Sequence, residues 1–436
     1  MKKIVLLLTL VTGIKCTFSA EIKPWTILIY IAGDNDLEIF IDGNVNDMAR
    51  IGSNKNCNII LCVARKEGKK RIKKLKYILV EKNQLKVLSE KSMEQFTDSG
   101  QEDTLHNFCT YAIQNFPANH YGLIFWDHGT GPIDPGRSQT NRVSDNFSLA
   151  HYRWINQCAT LPLINLTLRP QDIRKAVCFD DSTGNYLNEK KLYVALNTIC
   201  NSALKGKRFA LIGFDTCLMA NVETASLLKD YSDYMVASQE VEPGTGWNYE
   251  KVFSIFTNKI PAPLELGEHI VKSYKKHYFF ADDLTLSCVD LKRYNAAEKE
   301  LSALIQFLQR THQQIGDIFI KSLLKTSAHR KNCTHFDEPE YIDMIHFLEN
   351  LLYNFRKASI NKDAPSLATL QHEAETLINK TLLALQHAIV ANASGKDFIK
   401  ATGLSIYFPA SNINRLYKKN IFCCATQWAQ MLQSCL

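Results

Sequence analysis

A chain of 436 residues that is 46% hydrophobic can bury a large core, as one domain with an appended lobe or as two domains. Its formal charge of +7 is modest for that length and lacks the concentrated basic face of a nucleic-acid binder. After the first twenty residues no apolar run approaches the roughly eighteen residues that a membrane-spanning helix needs.

Residues 1–20 read as a secretory leader. Lys2 and Lys3 supply the positive start, Ile4 to Ile14 the apolar run, and cleavage is expected after Ser19 or Ala20. A secreted or periplasmic location follows as an expectation. Trp25 to Ala32 then reads as a buried strand. Asp34-Asn35-Asp36 can cap a helix whose apolar stripe is Leu37, Phe40, Ile41, Val45 and Met48. Asn58 to Val63 is a second strand. This strand–helix–strand rhythm predicts an α/β fold with a mostly parallel sheet between helices. Arg65 to Lys76 holds eight basic residues and one acid, Glu67. It reads as a solvated hairpin leading into Tyr77 to Val80, against the alternative of an anionic contact surface.

Thr104 is expected to cap a helix striped by Leu105, Phe108, Ala112 and Ile113. It leads into the apolar run Tyr121-Gly-Leu-Ile-Phe-Trp126, which breaks at Asp127-His128-Gly129. Residues 132–177 are mostly aperiodic and polar, the mark of a functional or disordered loop. Lys190 to Cys200 reads as a helix and Phe209 to Phe214 as a buried strand ending at Asp215-Thr216-Cys217. A helix is expected over Leu218 to Leu228, then strands at Tyr234 to Ser238 and Leu284 to Val289. Helical periodicity dominates near 294–310, 340–356 and 366–391, with a late strand at Leu404 to Phe408. The main unit is therefore drawn at 21–290 and a helix-rich C-terminal lobe at 291–436.

Thirteen cysteines are present. With Cys16 in the leader and Cys217 set aside an odd number remains, so complete pairing is impossible. Cys423, Cys424 and Cys435 are the expected bridge formers, and Cys62, Cys200 and Cys288 read as core residues. No C-x-x-C pair signals a zinc site.

Two strand-like runs thus end in His128 and Cys217. Ligand crevices of open α/β sheets lie at the carboxyl ends of the strands, where a thiol and a base can meet. The bland reading is a buried, inert Cys, since most Cys are core residues. Asp215 likewise reads either as a pocket acid or as a carboxylate solvated at a strand end.

Trp126-Asp-His-Gly-Thr-Gly131 and Phe214-Asp-Thr-Cys-Leu-Met-Ala220 resemble the His and Cys motifs of the clostripain family of cysteine endopeptidases, relatives of caspases, gingipains and legumain. Tyr30 to Leu37, Cys178 to Leu187, Ala237 to Glu240, Pro243 to Tyr249 and Gly403 to Pro409 match in the same order, so the resemblance runs from about Trp25 to Pro409. It implies a caspase-like three-layer sandwich and hydrolysis of peptide bonds by a Cys217–His128 dyad. It implies an oxyanion hole from the backbone N–H groups of Gly129 and Cys217. It also implies that Asp215 lines a pocket favouring Arg, then Lys, before the cut bond. The matching loop places Glu240, Glu242, Thr245 and Trp247 with Asp215 as substrate-binding residues. The second acid expected in that loop is replaced by Thr245, with Glu240 and Glu242 nearby to supply charge. Self-cleavage is expected within 132–177. No cofactor is required, and calcium stimulation, known among relatives, has no loop motif here. The expected partners are peptides or proteins with Arg or Lys before the cut, without nucleic acid or membrane insertion. A non-catalytic peptide-binding protein and a transpeptidase are the competing readings.

Overall fold

The computed structural model describes residues 21–92, 97–133, 177–315, 317–358 and 365–435. The expected leader and nearly all of the expected self-cleavage loop lie outside them. Thirteen strands are described. They are β1 (Lys23–Ala32), β2 (Cys57–Glu67), β3 (Ile72–Glu81), β4 (Gln84–Lys91), β5 (Ala118–Trp126), β6 (Val177–Asp180), β7 (Asn185–Leu187), β8 (Phe209–Asp215), β9 (Ser232–Ala237), β10 (Thr285–Asp290), β11 (Tyr341–Asp343), β12 (Ile389–Ser394) and β13 (Ser405–Tyr407). Nine form one sheet in the order β12-β10-β9-β8-β5-β1-β2-β3-β4. The five central strands run parallel, and antiparallel pairs close both flanks.

Alternation along β1 builds both faces. Leu28, Tyr30 and Ala32 enter one core, while Trp25, Ile27, Ile29 and Ile31 enter the other. Helices Glu38–Ile51, Tyr249–Asn258 and Pro263–His277 supply apolar residues to the second core. Helices Glu102–Asn115, Glu189–Ser202 and Leu291–Ile315 supply the first. The result is the expected three-layer α/β sandwich.

Several expected boundaries shift. The cap at Thr104 is displaced, because the helix starts at Glu102 with Gln101 as its extended N-cap. The basic stretch is the β2–β3 hairpin, and its charges are locally matched. Arg71 binds Glu38 through two nitrogens at 2.8 and 2.7 Å, Arg65 reaches Asp42 at 2.5 Å, and Lys76 reaches Glu67 at 2.5 Å. Among the described residues the bridges expected at Cys423, Cys424 and Cys435 are not formed: all eleven cysteines described keep their thiols out of disulfides.

Residue 291 is no break in packing. β12 pairs antiparallel with β10 in the main sheet, and the later helices share their core with Phe125, Phe214 and Met235. The small β11–β13 sheet reaches the centre of the molecule. Ser405 donates its N–H to the Ala220 carbonyl at 2.9 Å, and Glu223 accepts the Tyr417 hydroxyl at 2.5 Å and the Tyr407 N–H at 3.1 Å. A chain ended after Asp290 loses β12, leaves β10 an open edge and uncovers the core beneath the later helices. It should be insoluble or lack a cooperative melting transition by circular dichroism. A soluble 21–290 fragment that melts cooperatively would instead establish two separable units.

Candidate active site

The register of two central strands builds the site. β5 and β8 pair in parallel with Trp126 opposite Asp215, and the Asp127 N–H still donates to the Asp215 carbonyl at 3.4 Å. His128 lies two residues beyond Trp126, and Cys217 two beyond Asp215. Equal offsets from one register point carry both side chains to the same sheet end. There they line a single narrow pocket with Asp215, Glu242 and Gly246, of about 20 Å³.

Three consecutive residues after β1 support the His segment. Asp34 pairs with Lys66 at 2.9 Å and Lys73 at 3.1 Å. Asn35 donates its amide to Asp127 Oδ1 at 2.6 Å and to the Phe179 carbonyl at 3.2 Å. Asp36 Oδ1 lies 2.6 Å from His128 Nε2. The buried Asp127 also accepts the Phe179 N–H, and burial pushes its carboxyl up to about 8. For the half-buried His128, burial favours the neutral ring. The hydrogen bond and charge of Asp36, with the charges of Asp127 and Asp181, outweigh it and raise the imidazole to about 9. Phe179 meets the imidazole edge-on, ring centres 6.5 Å apart.

Cys217 is only 5% exposed. Its sulfur accepts the Glu242 N–H at 3.2 Å, and burial pushes the thiol well up. The helix expected immediately after it begins only at Val222, where Asn221 accepts the Thr224 N–H at 2.7 Å. Leu218 adopts a left-handed φ of 62°, and the N–H groups of Leu218 and Ala220 pair with the carbonyls of Glu240 and Ser238. The Cys217 segment is thus held by strand-like bonds, and the helix start expected beside the thiol lies five residues further on, at Val222. Gly129 packs directly on it. A Cβ there would lie 2.5 Å from the Cys217 carbonyl oxygen and 2.6 Å from Thr216 Oγ1.

The acids sort into two groups. Asp215 is buried, accepts the Trp247 N–H at 3.1 Å and the Tyr249 hydroxyl at 2.7 Å, and is pushed up to about 6 by that burial. Glu242 accepts Trp247 Nε1–H at 2.9 Å; burial, then the Asp215 charge, raises its carboxyl strongly. Glu242 therefore stands beside Asp215. Thr245, Glu240 and Trp247 do not line this pocket. The Thr245 hydroxyl pairs with Tyr278 at 2.9 Å. Glu240 accepts the N–H groups of Val241 and Asp337, both at 2.9 Å, and faces an adjoining cavity of about 280 Å³. Trp247 is fully buried and orients both carboxyls from below.

Sequence reasoning missed Asn35, Asp36 and Tyr249 as parts of the site. The Asp34-Asn35-Asp36 triplet was a signal for them, since three polar residues exceed what one helix cap needs. Among the described residues no group of three or more His, Cys, Asp or Glu is arranged to hold a metal ion.

A model of the clostripain family, peptidase family C11, matches residues 29–147 and 169–435. Clostripain of Hathewaya histolytica is 24% identical over 252 residues, 52% of this chain and 41% of that protein. The chain thus matches about two-fifths of that relative's length. A secreted C11 cysteine protease of Bacteroides thetaiotaomicron, solved with an irreversible peptide inhibitor, aligns with TM-score 0.59 at 18% identity, covering 93% of this chain and 99% of that one. An inactive zymogen C11 protease of Parabacteroides distasonis aligns with TM-score 0.58 at 18% identity, covering 93% and 99%. At these identities the likeness to the solved structures carries the fold.

The Gly129 contact is testable by stability alone. Gly129→Ala forces backbone against backbone and should cost about 1–3 kcal/mol in denaturant melts. Gly43→Ala, in a helix with nothing within 4 Å, should gain up to about 1 kcal/mol. Equal effects at the two positions would remove the close approach from the argument.

Proposed function

Because this chain belongs to the clostripain family, we propose that it is an exported cysteine endopeptidase cutting after Arg or Lys. The observation that carries the reading is the convergence of His128, Cys217 and Asp215 on one pocket at the carboxyl ends of β5 and β8. Cys217 is the nucleophile. His128 takes the thiol proton and returns it to the leaving amine. The backbone N–H groups of Gly129 and Cys217 receive the developing oxyanion, which the missing side chain at Gly129 permits.

Asp215 and Glu242 form the specificity pocket. Two buried carboxyls side by side cannot both ionise cheaply, so they hold a proton between them while no cation is present. A guanidinium entering the pocket replaces that proton and binds the planar carboxylates through paired hydrogen bonds. A pocket of about 20 Å³ must widen to admit it. The Pro243–Gly246 turn, with Gly246 at φ 65°, closes over Asp215 and forms the wall that such a side chain meets. Glu242 thus takes the place of the acid expected at position 245. Maturation by self-cleavage within 132–177 belongs to the same proposal.

A fluorogenic peptide panel varying the residue before the cut tests the reading. Cys217→Ala should abolish hydrolysis, and His128→Ala should lower it about a hundredfold or more. Full activity in Cys217→Ala would exclude the dyad. Purified wild type should also split into two co-eluting fragments while Cys217→Ala stays whole.

Asp215→Ala should cost about 2–5 kcal/mol in kcat/KM on Arg substrates and much less on apolar ones. The pH dependence has a definite sign. Below about pH 6 the free enzyme holds Asp215 protonated. Binding a cation must then expel a proton, so KM for Arg substrates should rise by up to about tenfold per unit of falling pH. KM for an apolar substrate should stay flat over the same range. Parallel profiles for both substrates would remove the carboxyl pair from specificity.

A further inference from the structure

We infer that Asp36 is a positioning residue for His128: its carboxylate, 2.6 Å from Nε2, fixes the ring and stabilises the imidazolium that a buried thiolate requires as counter-ion. The inference rests on the peptidase reading for its role in turnover, but its chemistry is visible in the thiol alone.

Geometry carries the assignment. Asp36 sits in the turn between β1 and the helix Glu38–Ile51. The two residues before it are anchored, Asp34 by Lys66 and Lys73 of the β2–β3 hairpin, and Asn35 by Asp127 and the Phe179 carbonyl. The Asn35 side chain also accepts the Leu37 N–H at 3.0 Å. The backbone carrying Asp36 is therefore fixed from both ends, and the carboxylate is delivered to the ring by a rigid turn.

With Nε2–H donated to Asp36, exchange with the thiol runs through Nδ1. The thiol proton moves from Sγ to Nδ1, giving thiolate and imidazolium, while the Nε2 proton stays on the ring. The thiolate forms the sulfur–carbon bond, the Nδ1 proton passes to the departing nitrogen, and the carbon–nitrogen bond breaks. Water then cleaves the thioester by the reverse proton movements. Asp36 touches no reacting atom. It sets which nitrogen acts and how stable the cation is, as carboxylates beside catalytic imidazoles do.

The charged groups around the ring come from several elements. They are Asp36 from the β1 turn, Asp127 from its own segment and Asp181 after β6. Asp215, Glu242 and the Cys217 thiol line the same pocket. The Asp127 carboxylate is already engaged by Asn35 and the Phe179 N–H. Asp36 is the acid bonded to the ring nitrogen itself.

The test is the pH dependence of Cys217 alkylation by iodoacetamide, followed by peptide mass in wild type, Asp36→Asn, Asp36→Ala and Asp36→Glu. Wild type should react at neutral pH through the thiolate–imidazolium pair. Asp36→Asn and Asp36→Ala should react about tenfold more slowly at pH 7, with the gap narrowing as rising pH ionises the thiol without help from the ring. On a peptide substrate kcat should fall about tenfold to a hundredfold with KM within about twofold, and Asp36→Glu should recover part of the loss. Asp36 is 40% exposed in its side chain and Asn matches its shape, so Asp36→Asn should melt with wild type. Equal alkylation rates in wild type and Asp36→Asn at pH 7 would overturn the inference. So would a loss of kcat that Asp36→Glu does not relieve and that tracks a lowered melting temperature. A chain that hydrolyses no peptide, yet alkylates with the predicted Asp36 dependence, would reject the peptidase reading and keep this one.

Discussion

The parallel pairing of β5 with β8 is the constraint on which the active site depends. Parallel strands advance in step, so a register point at Trp126 and Asp215 fixes the level of everything that follows. A slip of one residue would turn Cys217 to the opposite face and part it from His128. The register is held from both sides. Phe125 stacks on Phe214 at 5.2 Å in one core, and Gly213 leaves just enough space for the Trp247 ring in the other, where a Cβ would meet it at 2.9 Å. Helices on both faces, and the β11–β13 pair against Ala220, make that pairing expensive to disturb.

A second constraint follows from burying carboxyls in a chain of net positive charge. Asp127, Asp215, Glu240 and Glu242 all lie within the site or its adjoining cavity, each nearly inaccessible. Each finds N–H or O–H donors, so no carboxyl is without hydrogen bonds. Donors do not fully replace water, and burial raises all four carboxyls. The folded chain therefore holds protons that the unfolded chain has released above about pH 4. Through linkage these groups subtract stability as pH climbs from there toward 8, the opposite of a salt-bridged carboxylate. On the proposed specificity, that cost is offset when a cation reaches Asp215 and Glu242, partners that water screens poorly there.

Much of this was legible in the residues. Unbroken apolar runs marked β1, β5 and β8, and the breaks at Asp127 and Asp215 marked their ends. Other features left no local trace. β12 follows helix Pro365–Ala388 without a Gly or Pro between them, so Ile389 to Ala391 read as helix until β10 claimed them as a sheet edge. The segment after Cys217 looked helical because Leu218, Met219 and Ala220 favour helix, but cross-strand bonds to Ser238 and Glu240 override that preference. Trp247 read as a substrate contact by its motif, whereas a large aromatic ring beneath Gly213 is a floor. Asp36 read as part of a helix cap, because its bond to a histidine 92 residues away is written only in three dimensions.

The cysteines bear on how such a protein meets oxidants. Of the eleven thiols in the described residues, Cys424 alone is exposed. Within those residues no bridge holds the fold. Packing shields nine of the others, while Cys217 lines a pocket at the sheet end. On the proposed function, oxidants in the surroundings therefore address Cys424 at the surface and Cys217 through its pocket, and leave the packed thiols of the scaffold intact. If Cys217 is the nucleophile, its oxidation to a sulfenic acid or a mixed disulfide silences the folded protein reversibly, and thiols restore it without refolding.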